Sequence, residues 1–115
     1  MNLEANIRTT LIEWLDDPAM DVHIAHITLP DQSEVSDVYT AFDDNARVSE
    51  SGFTIYESGV RISFIKGDIP DIAQGTKITV TSNGTRYNHV YRVNKLDPTM
   101  NNDPVMNTVI AIQIN

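Results

Sequence analysis

Three histidines, two acidic doublets and one alternating aromatic stretch are the groups in this 115-residue chain whose types and spacing could do chemistry. His23 and His26 stand three apart, a spacing that sends them to opposite faces of a strand, so they share an ion only across a bulge. His89 lies far along the chain, and a tetrahedral zinc site would need carboxylate help that no spacing here specifies. No metal site is expected, and the histidines are assigned to the surface or to strand edges. The doublets Asp16-Asp17 and Asp43-Asp44 lie outside any Asp-x-Asn/Asp-x-Asn/Asp-Gly calcium loop, and no carboxylate pair has sequence support for a glycosidase separation. Asp in a solvated turn explains both. The chain has no Gly-x-Ser-x-Gly elbow, no Gly-rich phosphate loop ahead of a helix, and no cysteine for thiol catalysis, disulfides or thiolate metal sites. Neither enzymatic activity nor a cofactor is expected. Tyr87 and Tyr91 alternate with His89, which offers either an exposed stripe for stacking a ligand or ordinary cross-strand packing.

Eight basic against sixteen acidic side chains leave a net charge of -8 and a pI near 4.5. Partners held by phosphate neutralisation need clustered Lys and Arg, and here those residues are scattered singly, so sequence-specific nucleic-acid binding is not expected. At 12.9 kDa there is room for one domain with one modest core and no deep cleft. The N-terminus lacks the basic-then-apolar signature of a signal peptide, and no apolar run approaches the ~18 residues of a membrane span. The expectation is a soluble intracellular protein with no membrane partner.

The elements that must position these groups follow from periodicity. Leu3, Ile7, Leu11 and Trp14 recur at three- and four-residue spacing and predict one amphipathic helix over 1–17, capped by Asn2 and stopped by Asp16-Asp17-Pro18. That apolar stripe either plugs one end of a sheet or serves as a detachable arm offered to a neighbouring subunit. From Val22 the period falls to two and β-branched residues become dense. Val22–Leu29 and Glu34–Phe42 read as a hairpin joined by Pro30-Asp31-Gln32-Ser33. Residues 43–59 read as the largest loop, from Asp43, Asp44, Asn45, Ser49, Ser51 and Gly52, with Phe53–Tyr56 a short strand or its far arm. Val60, Ile62 and Phe64 alternate with Arg61 and Ser63. Ile78 and Val80 alternate with Lys77 and Thr79, and Asn83-Gly84 predicts a two-residue turn that returns Arg86–Leu96 antiparallel to Lys77–Thr81. Asn83-Gly84-Thr85 also matches a glycosylation sequon, which the turn already accounts for. Val105–Ile114 closes the series. Six to seven short strands and one helix predict a mainly β fold, a small antiparallel barrel or sandwich over 22–115.

The order of these features resembles a known family. A strand pair ending in Val38-Tyr39-Thr40-Ala41-Phe42-Asp43-Asp44 leads to a long polar stretch and then Gly59-Val60-Arg61-Ile62-Ser63-Phe64. Gly67-Asp68, Gly75-Thr76-Lys77-Ile78-Thr79-Val80, a tight hairpin and Tyr91-Arg92-Val93-Asn94-Lys95-Leu96-Asp97-Pro98 follow. Over about residues 35–98 this is similar to the small head-tail joining proteins of lambda-like tailed phages and prophages.

The resemblance implies a non-enzymatic neck adaptor of the virion, made in the host cytoplasm, that is monomeric when free and forms a ring on assembly. Its implied partners are the head connector or portal complex and the tail proteins. It also implies that the stretch after the Phe-Asp-Asp turn orders on assembly, which makes Asp43, Asp44, Arg47, Phe53, Ile55 and Tyr56 the candidate assembly residues. Leu3, Ile7, Leu11 and Trp14 form the candidate helix interface. The acidic balance fits copies that repel one another until a template gathers them, and an inner surface that repels passing DNA. Tail-terminator proteins share this small β-rich build and remain an alternative, as does a generic module binding a small ligand or peptide on the face around Tyr87 and Tyr91. A nuclease-inhibiting nucleic-acid mimic is a weaker third reading, since the acidic residues are not gathered in one stretch.

Overall fold

The computed structural model describes residues 3–15, 17, 19–50, 53–82, 87–96 and 105–115, with the backbone course alone for 44–50 and 53–58. Helix α1 (Leu3–Leu15) precedes six strands: β1 (Val22–Thr28), β2 (Glu34–Glu50), β3 (Phe53–Ile65), β4 (Lys77–Val80), β5 (Val90–Leu96) and β6 (Met106–Gln113). A 3-10 turn, Lys66–Asp68, leaves β3. The strands close into an antiparallel barrel in the order β1-β2-β3-β6-β5-β4, so that within the barrel every strand has two neighbours. The mainly β expectation holds, with six strands and one N-terminal helix.

Alternation fills the barrel. Ala25 and Ile27 of β1, Val38 and Phe42 of β2, Ile62 and Phe64 of β3, Ile78 and Val80 of β4, Tyr91 and Val93 of β5, and Val109 and Ala111 of β6 form one buried core. The predicted hairpin of β1 and β2 runs Val22↔Ala41 to Thr28↔Glu34; the strand expected over Arg86–Leu96 begins only at Val90, after a turn at Tyr87–His89, and pairs with β4 from Lys77↔Arg92 to Thr79↔Val90. The Asn83-Gly84 turn and the Asn2 cap lie outside the described residues. In the β1–β2 ladder, β2 advances three residues from Val35 to Val38 while β1 advances two. Asp37 takes φ 58 at this bulge, and a short polar side chain tolerates that left-handed geometry. At the opposite end from Phe42, Ile69 is buried and Ile72 packs against the core beneath the chain that crosses from β3 to β4. There Gly75 adopts φ 93 and its amide donates to the Val93 carbonyl at 2.9 Å.

The helix neither plugs a barrel end nor stands away from it. Tyr39 and Ala41 alternate with the core-facing Val38, Thr40 and Phe42, so they lie on the outer side of β2, and α1 packs there. Leu11 is buried with Val22 and Ile65, and Ile7 and Leu15 pack beside it. Arg8 fastens the same helix with two hydrogen bonds to the Asp68 carboxylate, at 2.9 and 3.2 Å. Of the expected helix interface, Ile7 and Leu11 are used on the chain's own barrel, while Leu3 is 50% exposed and Trp14 38%.

Candidate functional site

Two features meet at one end of the barrel: a two-stranded extension and an aromatic plug. The extension corrects the sequence reading. Residues 43–50 continue β2, and Phe53 opens β3, so the stretch expected as a loop is a paired ribbon. The polar composition misleads because pairing is carried by the backbone. Ala46↔Gly59, Val48↔Ile55, Ser49↔Thr54 and Glu50↔Phe53 are in register, and irregularities between Asp43, Ala46 and Val48 absorb residues that break strict alternation.

What distinguishes this ribbon is its lack of flanking strands. β1 pairs with β2 no further along than Ala41, and β6 pairs with β3 only from Gly59 onward. Among the described residues, the ladder from Val48↔Ile55 to Glu50↔Phe53 has no other strand on either side. From Asp43 to Glu50 the ribbon reaches roughly 20–25 Å at the usual rise per strand residue. An isolated two-stranded hairpin is marginal in water and needs a third strand or a packed face to become firm.

Of the sequence-predicted assembly residues, Asp44 and Arg47 lie on the β2 arm, and Phe53, Ile55 and Tyr56 on the β3 arm. Asp43 stands at the arm's root, opposite Arg61 of β3. The structure therefore gathers all six on one hairpin.

At the arm's root the barrel is sealed by rings. Phe42 lies 4.7 Å from Tyr87 and 5.4 Å from Tyr91 between centroids, and His23 lies 5.6 Å from Phe42 and 5.7 Å from Tyr87. The Tyr91 hydroxyl donates to the Tyr87 carbonyl at 3.3 Å, and burial foremost, with Tyr87 nearby, pushes its pKa up to about 12. Desolvation among these rings lowers the His23 pKa, against the opposing pull of Asp21, whose carboxylate is 3.9 Å away.

One expectation falls here and one alternative is decided. His23 is a plug residue rather than a surface or edge histidine, and Tyr87 and Tyr91, 4% and 1% exposed, take the packing reading and make no exposed ligand-stacking stripe. Alternation put the tyrosines on a common face but carried no sign for inside or outside. The signal that could have found the plug was Phe42, since an inward Phe at the end of the β1–β2 pairing needs large partners across the barrel.

His26 lies on the other side of β1, its ring 3.3 Å from Glu34 and 3.2 Å from the Ser36 hydroxyl. Among the described residues, no three His, Cys, Asp or Glu side chains gather where they could hold a metal ion. A shallow depression of ≈ 180 Å³ between Thr79, Val80, Asn88, His89, Val90 and Asn115 is small beside ligand pockets of about 300–1,000 Å³. No described helix is long and apolar enough to cross a membrane. No protein-family model and no curated protein sequence matches the chain.

Proposed function

We propose that this protein is a head-tail joining adaptor of a tailed phage or prophage, which forms a ring between the head connector or portal complex and the tail. It acts in the virion after synthesis in the host cytoplasm, and it performs no chemistry of its own. The observation that carries this reading is the two-stranded arm. It falls on the stretch that the resemblance marks for assembly, and it extends past a barrel whose other strands are paired on both sides. A backbone ladder lacking neighbours on both edges is built to be completed by another chain, through strand addition or packing. Binding then offsets the entropy lost in fixing the arm.

Replacing Phe53→Ser together with Tyr56→Ser tests this directly. The expected result is loss of head-tail joining with an unchanged far-ultraviolet circular dichroism spectrum and thermal midpoint. Normal joining by the double variant would sink the arm's role.

A further inference from the structure

Lysines and arginines that are scattered in the sequence are collected by the barrel. Residues 1–65 carry Arg8, Arg47 and Arg61 against twelve carboxylates, whereas residues 66–115 carry five cations against four. The strands sharpen the division. β4, β5 and β6 contain Lys77, Arg92 and Lys95 and no Asp or Glu, while β2 alone contains Glu34, Asp37, Asp43, Asp44 and Glu50.

In the closed order β1-β2-β3-β6-β5-β4, β2 and β5 stand opposite each other. The basic centre, Arg92 and Lys95, is thus on the far side of the barrel from Glu34 and Asp37. α1 extends the acidic side, packing on β1 and β2 with Glu4 and Glu13 exposed, and Asp17 just beyond its end is exposed too. Lys77 marks one border, separated from Glu34 by Thr28 alone in the shared register row. Among the described residues, Lys77, Arg92 and Lys95 have no carboxylate within ion-pair distance.

We infer that the β5 face of one copy docks on the β2–α1 face of the next, so that copies associate head to tail through charge-opposed sides of the same barrel. The occupant is a second copy because the chain itself supplies both complementary surfaces. Contacts between unlike faces of identical subunits are heterologous, and they close into rings when the rotation allows. Opposite charge sets orientation and partner choice, while apolar contact supplies affinity. Both faces carry apolar area: Leu96 and Ile114 are 38% and 43% exposed on the basic side, and Ile12 and Trp14 47% and 38% on the acidic side. The inference rests on the ring-forming adaptor reading for its purpose but takes its residues from the barrel alone.

The test is zero-length cross-linking of ammonium to carboxylate groups by a carbodiimide, on a millimolar mixture of heavy-nitrogen-labelled and unlabelled protein, read by mass spectrometry. Mixed-isotope peptides joining Lys95 or Lys77 to Glu34, Asp37 or the acidic residues of α1 are expected. An Arg92→Glu/Lys95→Glu variant loses them, and so does Glu34→Lys/Asp37→Asn, in which Asn keeps the left-handed backbone. Mixing the two variants restores a cross-linked heterodimer, because the altered faces then complement each other. Circular dichroism on both variants guards against a folding defect.

Links confined to one isotope, or a variant mixture as silent as each variant alone, would overturn the arrangement. Salt-sensitive DNA retention that the Arg92→Glu/Lys95→Glu variant loses would reassign the basic face to nucleic acid and overturn it too. Head-tail joining assayed on the same samples separates the two claims. Joining without cross-links keeps the adaptor and discards this contact, and cross-links without joining do the reverse.

Discussion

The barrel and its arm are made from the same two strands, yet they obey different energetics. Within the barrel, β2 and β3 each have a second neighbour, and their alternate side chains meet a common interior in which Ile62 and Phe64 are fully buried. Past Ala46 and Gly59, among the described residues, the same strands pair only with each other. Backbone pairing alone sustains a ribbon but contributes little net stability, because folding exchanges one set of hydrogen bonds for another. A second paired strand, and the common interior that comes with it, separates the barrel part of β2 and β3 from the arm.

Equal deletions on the two sides of that boundary should give unequal losses. Phe64→Ala should destabilise the protein by about 3–5 kcal/mol through lost burial and a cavity, whereas Ile55→Ala in the arm should cost below about 1 kcal/mol. Denaturant midpoints at constant slope measure both. Similar losses would mean that the arm packs on the body and the contrast is false.

The plug between the two regions gives a pH signature. His23 titrates lower when folded than when unfolded, so its contribution is complete above the unfolded value of about 6.5 and is lost as pH falls from there toward the folded pKa. Tyr91 is the mirror case: its pKa is raised to about 12, so its contribution holds below the ordinary value of about 10 and is lost as pH rises toward 12. His23→Gln should flatten the acid limb of a stability-pH curve, with the ionisation of one group bounding the slope at about 1.4 kcal/mol per pH unit. An unaltered acid limb would remove His23 from the plug's energetics.

The smallest effect belongs to the helix clamp. Arg8→Ala breaks a pair whose side chains are 38% and 19% exposed, so a loss of about 0.5–1 kcal/mol that shrinks with added salt is expected in thermal melts. A loss of several kcal/mol would show that α1 is part of the barrel's core and not a layer on it.

How much was legible follows from where side-chain periodicity carries the information. Of the stripe Leu3, Ile7, Leu11 and Trp14, Ile7 and Leu11 pack on the barrel, and the β1–β2 hairpin and the pairing of β4 with β5 are legible because alternation and burial agree there. The arm was misread because Asp43, Asp44, Asn45 and Ser49 describe a polar turn, while backbone pairing with two irregularities ignores side-chain type. The inward direction of Tyr87 and Tyr91 was hidden because a period of two defines faces without choosing between them. Charge segregation was invisible for a related reason. Lys77 and Arg92 are far apart in sequence but opposite each other in the β4–β5 register, and only closure places β5 across from β2.

The central claim is that an acidic barrel with an uncompleted arm joins heads to tails. It is tested most directly by adding the purified protein to DNA-filled heads and free tails from a lysate that lacks it. The account predicts joined, infectious particles. Heads and tails that stay separate, while wild-type lysate joins the same fractions, would contradict it.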